Sequence, residues 1–235
     1  MDPIRRQARV AGALYLLVAL VAPISLVVVP GRLFDPASAT LTAEHLRQGE
    51  GWLRLGMGCE LFHQAVEVFL VIALYDLFRP VSQGLARQMA LLGLVPIPIM
   101  FVNVLNEVAA LMLARGLDDL SVFDRAQLDA LAMLFVKLHC QGVQVAAVFW
   151  GLWLFPLALL VWRSGFIPKA VGALVMAAGV GYLLGALGTL VAPQGLAVLG
   201  SLTLVLEAGE AVLVLWLVVF GARPASAGPR LAASP

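Results

Sequence analysis

Glu60, His63, Gln64 and Glu67 lie at i, i+3, i+4 and i+7 inside a long apolar segment, so on a helix all of them share one face. Carboxylates and an imidazole on one face can pass protons or hold a divalent cation. Glu60-x-x-His63 has the spacing by which helix bundles ligate metals, with Glu107, His139 and Glu210 as further donors. Alternatively Glu107, Glu210, His139, Glu60 and His63 could act as general acids and bases. Because an ionised side chain at the centre of a membrane helix costs about 2.5–3.5 kcal/mol, the face must look at other polar groups and not at lipid.

The elements that must position these groups follow from composition. The chain has 235 residues, 62% of them hydrophobic and 12% charged, with a mean hydropathy of +0.98. That charge is about half the share of a soluble domain, which makes the chain an integral membrane protein with the lipid bilayer as its first partner. The net charge of +1 and the scattered arginines exclude a nucleic-acid binder. Cys59 and Cys140 lack a C-x-x-C spacing and read as packed thiols.

Apolar runs at about 10–29, 52–78, 86–114, 137–162, 169–191 and 196–220 are each long enough to cross a hydrocarbon core of about 30 Å. The expected fold is all-α: a polytopic membrane bundle of six transmembrane helices, one domain over 1–222 with a disordered cytoplasmic tail at 223–235. The first run exceeds the 7–15 residues of a signal-peptide core and reads as a retained span. Between the first two, residues 31–51 form a loop with a short surface helix starting near Thr42. Pro96 and Pro98 should kink the third span ahead of Asn103, Asn106 and Glu107. The apolar pattern of 126–162 would run about 55 Å as one helix, so it is divided into a surface piece, 125–136, capped by Asp124, and a crossing from Lys137. Gly181-x-x-x-Gly185 in the fifth span permits close helix contact.

Six crossings put both termini on one side. That side collects nine Lys and Arg residues against five opposite, which favours cytoplasmic termini in the cell membrane. In that orientation the second, third, fourth and sixth spans bring Glu60, Glu107, His139 and Glu210 to overlapping depths in an outward-facing cavity. Glu60, Glu67, Glu107, Glu207 and Glu210 outnumber Lys137, the fixed cation at membrane depth. At least one of these acids must be protonated, cation-bound or wetted.

Three functions are compatible with such a cavity. The first is an enzyme using acid–base chemistry, with or without a metal, on a lipid or isoprenoid-like molecule. The second is a proton- or cation-coupled transporter, and the third a non-catalytic scaffold in which the polar groups only join helices. The first leads, and a hydrophobic small molecule is its implied ligand; the residues name no cofactor.

Several stretches together resemble a bacterial membrane-protein family defined by the domain of unknown function DUF4386. They are Ala8–Tyr15, Leu105-Asn106-Glu107, His139-Cys140-Gln141-Gly142, Phe149–Pro156, Ser164-Gly165-Phe166-Ile167-Pro168, Gly179–Leu183 and Gly209-Glu210. The resemblance implies a six-span membrane protein and transfers no mechanism. Glu107, His139 and Glu210 fall within the matching stretches, whereas Glu60 and His63 fall outside them.

Overall fold

The structure is a computed structural model that describes residues 3–116, 121–192 and 200–222. The described residues fold into helices alone, and six segments are long and apolar enough to cross a membrane: Pro3–Leu33, Glu50–Phe78, Gln83–Arg115, Arg125–Ser164, Lys169–Val191 and Gly200–Val219. The tail at 223–235 lies outside the described residues.

The first segment is α1 (Pro3–Pro23), a π-helical turn at Ile24–Val28, and α2 (Val29–Leu33). Pro23 has no amide hydrogen to offer the carbonyl four residues earlier, and its ring crowds that carbonyl; the wider turn that follows absorbs the misfit. Ser25 Oγ donates to the Ala22 carbonyl at 3.1 Å, satisfying a backbone group of the loosened turn.

The short helix expected in the first loop is α3 (Ala39–Gln48), one turn earlier than Thr42, because Ser38 provides the N-cap by accepting from the Leu41 amide. After it come α4 (Glu50–Phe78), α5 (Gln83–Leu94) and α6 (Pro96–Arg115). The third span is broken where the prolines demand it: the helix restarts with Pro96 at its first position, where a missing amide costs nothing.

The fourth span corrects the sequence reading. Residues 125–136 are not a separate surface piece; α7 runs unbroken from Arg125 to Ser164, 40 residues, with the expected Asp124 cap completed by Gln127 into a capping box. The amphipathic face of its first turns is covered by protein: Leu128, Ala132 and Val136 are buried against α3 and α6. Asp129 receives Arg47 from α3 at 3.1 Å and Arg125 from its own helix at 3.2 Å, while both guanidinium groups also donate to the Ala114 carbonyl that ends α6. An apolar stripe alone does not distinguish a lipid interface from a protein neighbour, and here it found the neighbour.

The bundle closes with α8 (Lys169–Val191) and α9 (Gly200–Val219). Glycines let α8 lie close to both neighbours. A Cβ at Gly179 would stand 3.0 Å from the Gly151 carbonyl of α7, and one at Gly181 would stand 2.8 Å from Leu206 Cβ of α9. Gly185, four residues on, has ordinary clearance from Glu207 at 3.6 Å, so only the first glycine of that pair is needed for contact.

Among the described residues two apolar clusters form the core. The larger joins α1, α4, α5, α7, α8 and α9 around Leu74, Phe78, Met89, Leu157 and Leu213. The smaller joins α2, α3, α4, α6 and α7 around Leu46, Leu53, Leu111 and Ala132.

Candidate functional site

The polar stripe of α4 serves two places. Its first residue, Glu60, meets Glu107 of α6 and His139 of α7; its last, Glu67, faces α1 and α9. Seven residues of helix separate the two carboxylates by about 10 Å along the axis, enough to give them different neighbours although they point almost the same way.

At the first place His139 Nε2 lies 3.6 Å from Glu60 Oε2 and 3.8 Å from Glu107 Oε1. One ligand atom from each residue falls within 4.8 Å of the other two, and all three side chains are buried, at 1–2% exposure. The histidine is held from behind by Asn103: the Asn103 amide nitrogen donates to the His139 carbonyl at 3.0 Å and lies 3.2 Å from Nδ1, and the Asn103 carbonyl is 3.4 Å from the same ring nitrogen. Asn106 Nδ2 in turn donates to Asn103 Oδ1 at 3.0 Å. This packing requires Gly142, since a Cβ there would run into the Asn103 amide. Lys137, two residues before His139 and so on a different face of α7, is exposed where His139 is buried.

The second place is a cavity of 520 Å³ between α1, α4, α7, α8 and α9. Glu210 stands in its wall, and each of its carboxylate oxygens accepts a phenol: Tyr15 donates to Oε1 and Tyr182 to Oε2, the latter at 3.0 Å. Glu67, Glu207 and His63 line the same space, with Trp150 and Trp153. Trp153 packs at 6.0 Å from Tyr15, and Trp150 edge-on at 6.5 Å from Tyr182, so each phenol is braced by an indole. The rim is apolar and open: Val27 is 66% exposed and Leu204 69%. Further along, α1 and α9 are in contact, with Gly12 against the Leu217 backbone. The two helices therefore part around the cavity mouth, and the π-helical turn after Pro23 supplies one edge of it.

Of the residues singled out by type and spacing, Glu60, Glu107 and His139 come together, and His63 and Glu210 come together in the cavity. Glu60 and His63, paired by their shared helix face as a metal site, are divided between the two places. His63 Nε2 lies 3.1 Å from Gln64 Nε2, and His63 is not among the donors that gather around His139. Tyr15, Tyr182 and Asn103 were not singled out as site residues. The chain has three tyrosines, and two of them lie at membrane depth within family-like stretches, a signal that could have marked them.

The fold and these polar centres define a multi-pass helical membrane protein with buried carboxylate sites. Within that class the chain belongs to the family described as domain of unknown function DUF4386, which matches residues 10–221. It is also similar to an uncharacterized protein of Archaeoglobus fulgidus, 30% identical over 157 residues that cover 66% of this chain and 77% of that protein. No solved structure matches the chain.

Proposed function

We propose that the protein is an enzyme of the cell membrane that moves a proton on a long apolar, unsaturated molecule taken sideways from the bilayer. The observation that supports this reading is the cavity itself: 520 Å³, walled by Trp150, Trp153, Tyr15 and Tyr182, rimmed by lipid-facing Val27 and Leu204, and bearing paired acids at Glu67 and Glu210. Its volume suits a small-molecule or chain-like ligand, and its apolar rim suits entry from lipid.

The chemistry follows from the groups present. An alkene accepts a proton from a carboxylic acid at one carbon, leaving a carbocation that the faces of tryptophan and tyrosine stabilise. A second carboxylate then removes a proton from a neighbouring carbon. One proton enters and one leaves, so a shifted double bond or a new ring forms without any co-reactant. Glu67 suits the acid. Glu210 suits the base, because phenols donating to both its oxygens hold it in place and support negative charge there. His63 lines the same cavity and can exchange protons with solvent between cycles, so that Glu67 is recharged from water.

Native mass spectrometry of the full chain released from mild detergent tests the reading. An apolar adduct should accompany the wild type and the Glu210→Gln variant. It should be lost from Ala208→Trp, which fills the cavity from a wall position that is itself exposed. If no adduct accompanies any form, or Ala208→Trp keeps it, the cavity is not the ligand site. If the protein instead carries protons across sealed vesicles with a dependence on Glu210, transport replaces catalysis.

A further inference from the structure

We propose that Glu60, Glu107 and His139 form a binding site for one divalent first-row transition metal of the zinc class, separate from the cavity and joining α4, α6 and α7. The geometry carries this. Two ligands on a tetrahedral zinc, each about 2.0–2.1 Å from the ion, stand about 3.4 Å from one another. His139 Nε2 lies 3.6 Å and 3.8 Å from the two carboxylates, so tenths of an ångström of closure would bring the imidazole to ligand spacing from each, and the carboxylates themselves offer oxygens within 4.8 Å of one another. The same distances are too long for direct hydrogen bonds, which need about 2.7–3.2 Å. The three groups face one another at the spacing of ligands and not at the spacing of partners.

Both carboxylates around this space carry unused oxygens, including Glu60 Oε2, which faces His139. Both carboxylate oxygens of Glu60 and Oε2 of Glu107 are buried with no hydrogen-bond partner, on residues 1% and 2% exposed. Leaving such groups unsatisfied is costly in a medium of low dielectric, and a dication answers both deficits together: it takes lone pairs and cancels two negative charges, so the loaded site is neutral inside the membrane. The third ligand is prepared for it. In the tautomer with its proton on Nδ1, His139 would donate toward the Asn103 backbone carbonyl at 3.4 Å, while the Asn103 side-chain nitrogen, 3.2 Å from Nδ1, gives its hydrogen to the His139 carbonyl; Nε2 then presents its lone pair to the carboxylates. A carbonyl behind the imidazole is the usual outer support of a metal-bound histidine.

The donor set selects the ion. One imidazole nitrogen and two carboxylates, without thiolate, disfavour copper(I). Magnesium and calcium want all-oxygen spheres of six or more ligands. Zinc accepts mixed nitrogen and oxygen donors in fourfold coordination, with three protein ligands and one open position.

The experiment uses the full chain in mild detergent, stripped with chelator and titrated with zinc chloride, with cobalt chloride as a coloured stand-in, and followed by metal analysis, visible absorption and thermal unfolding. One ion per chain should bind, with a rise in unfolding temperature. Removing a ligand must cost at least what an outer support does, about 10–100-fold in affinity. Glu60→Gln, Glu107→Gln and His139→Ala should all lose binding and the thermal response. His63→Ala and Glu210→Gln should keep both, which separates this site from the cavity. The proposal is overturned if the folded wild type takes up neither ion, and equally if uptake survives all three ligand changes or follows His63. A ligand variant that does not fold leaves the wild-type stoichiometry and the cobalt spectrum as the deciding readings.

Discussion

Replacing Gly142 with alanine would put a methyl group where the Asn103 amide now lies. Within a helix the change by itself stabilises by about 0.5–1 kcal/mol. Against that gain stand overpacking, about 1–3 kcal/mol, and the loss of the Asn103–His139 and Asn106–Asn103 hydrogen bonds, about 0.5–1.5 kcal/mol each. The expected result is a net loss of about 3 kcal/mol, together with a fall of about 10–100-fold in zinc affinity as His139 loses its support. Gly58 is the control: it is helical and exposed, and a Cβ there meets nothing within 4 Å. Gly58→Ala should be neutral or gain up to about 1 kcal/mol. Denaturant unfolding in detergent, with gel filtration to confirm the folded form, measures both. The double variant Gly142→Ala with Asn103→Ala should recover the overpacking part of the loss but not the metal affinity. If Gly142→Ala is as stable as Gly58→Ala, the packing of Asn103 against α7 has been misread.

Tyr15→Phe and Tyr182→Phe each delete one phenol on Glu210; at about 1.5–3 kcal/mol for a hydrogen bond to a charged group, each should slow turnover about 10–150-fold while ligand retention in native mass spectrometry is unchanged. Unaltered turnover in both would remove the tyrosines from the site. Asp129→Ala frees Arg47 and Arg125 together and should lower stability by about 1–3 kcal/mol, read as earlier protease cleavage in the α3 region. With cytoplasmic termini, cysteines placed at Ser82 and Ser164 should resist a membrane-impermeant reagent applied outside intact cells; selective labelling of both from outside would reverse the orientation.

The six crossings were legible because hydropathy reports burial in lipid directly, and the break ahead of Pro96 and the Asp124 cap because each depends on a backbone hydrogen bond that the local residue types decide. The continuity of α7 was not. The apolar stripe of 125–136 has the same periodicity whether it meets lipid or α3 and α6, and only Arg47, 82 residues from its partner Asp129, distinguishes the two. Topology brought Glu60, Glu107, His139 and Glu210 to overlapping depths in one expected cavity; the first three meet, but Glu210 stands apart in the wall of the second place, and neither that separation nor the division of the α4 stripe was legible. A helix wheel ignores the axial distance that sends Glu60 to α6 and α7 while Glu67 and His63 reach the cavity. The phenols of Tyr15 and Tyr182 share no local spacing with Glu210, since they reach it across sequence separations of 195 and 28 residues.

Proton transfer to a lipid chain is tested most directly by deuterium. The full chain, in vesicles with the neutral lipid extract of its own host membrane, is incubated in heavy water, and the lipids are separated and weighed by mass spectrometry. Wild type should convert one unsaturated component into an isomer carrying one deuteron, because the proton delivered through Glu67 comes from solvent and the one removed by Glu210 comes from the chain. Glu210→Gln, folded and inserted to the same level, should reduce that product by about a hundredfold or more, the scale of a lost general base. Lipids identical in chromatographic profile and deuterium content with wild type and variant would contradict the account.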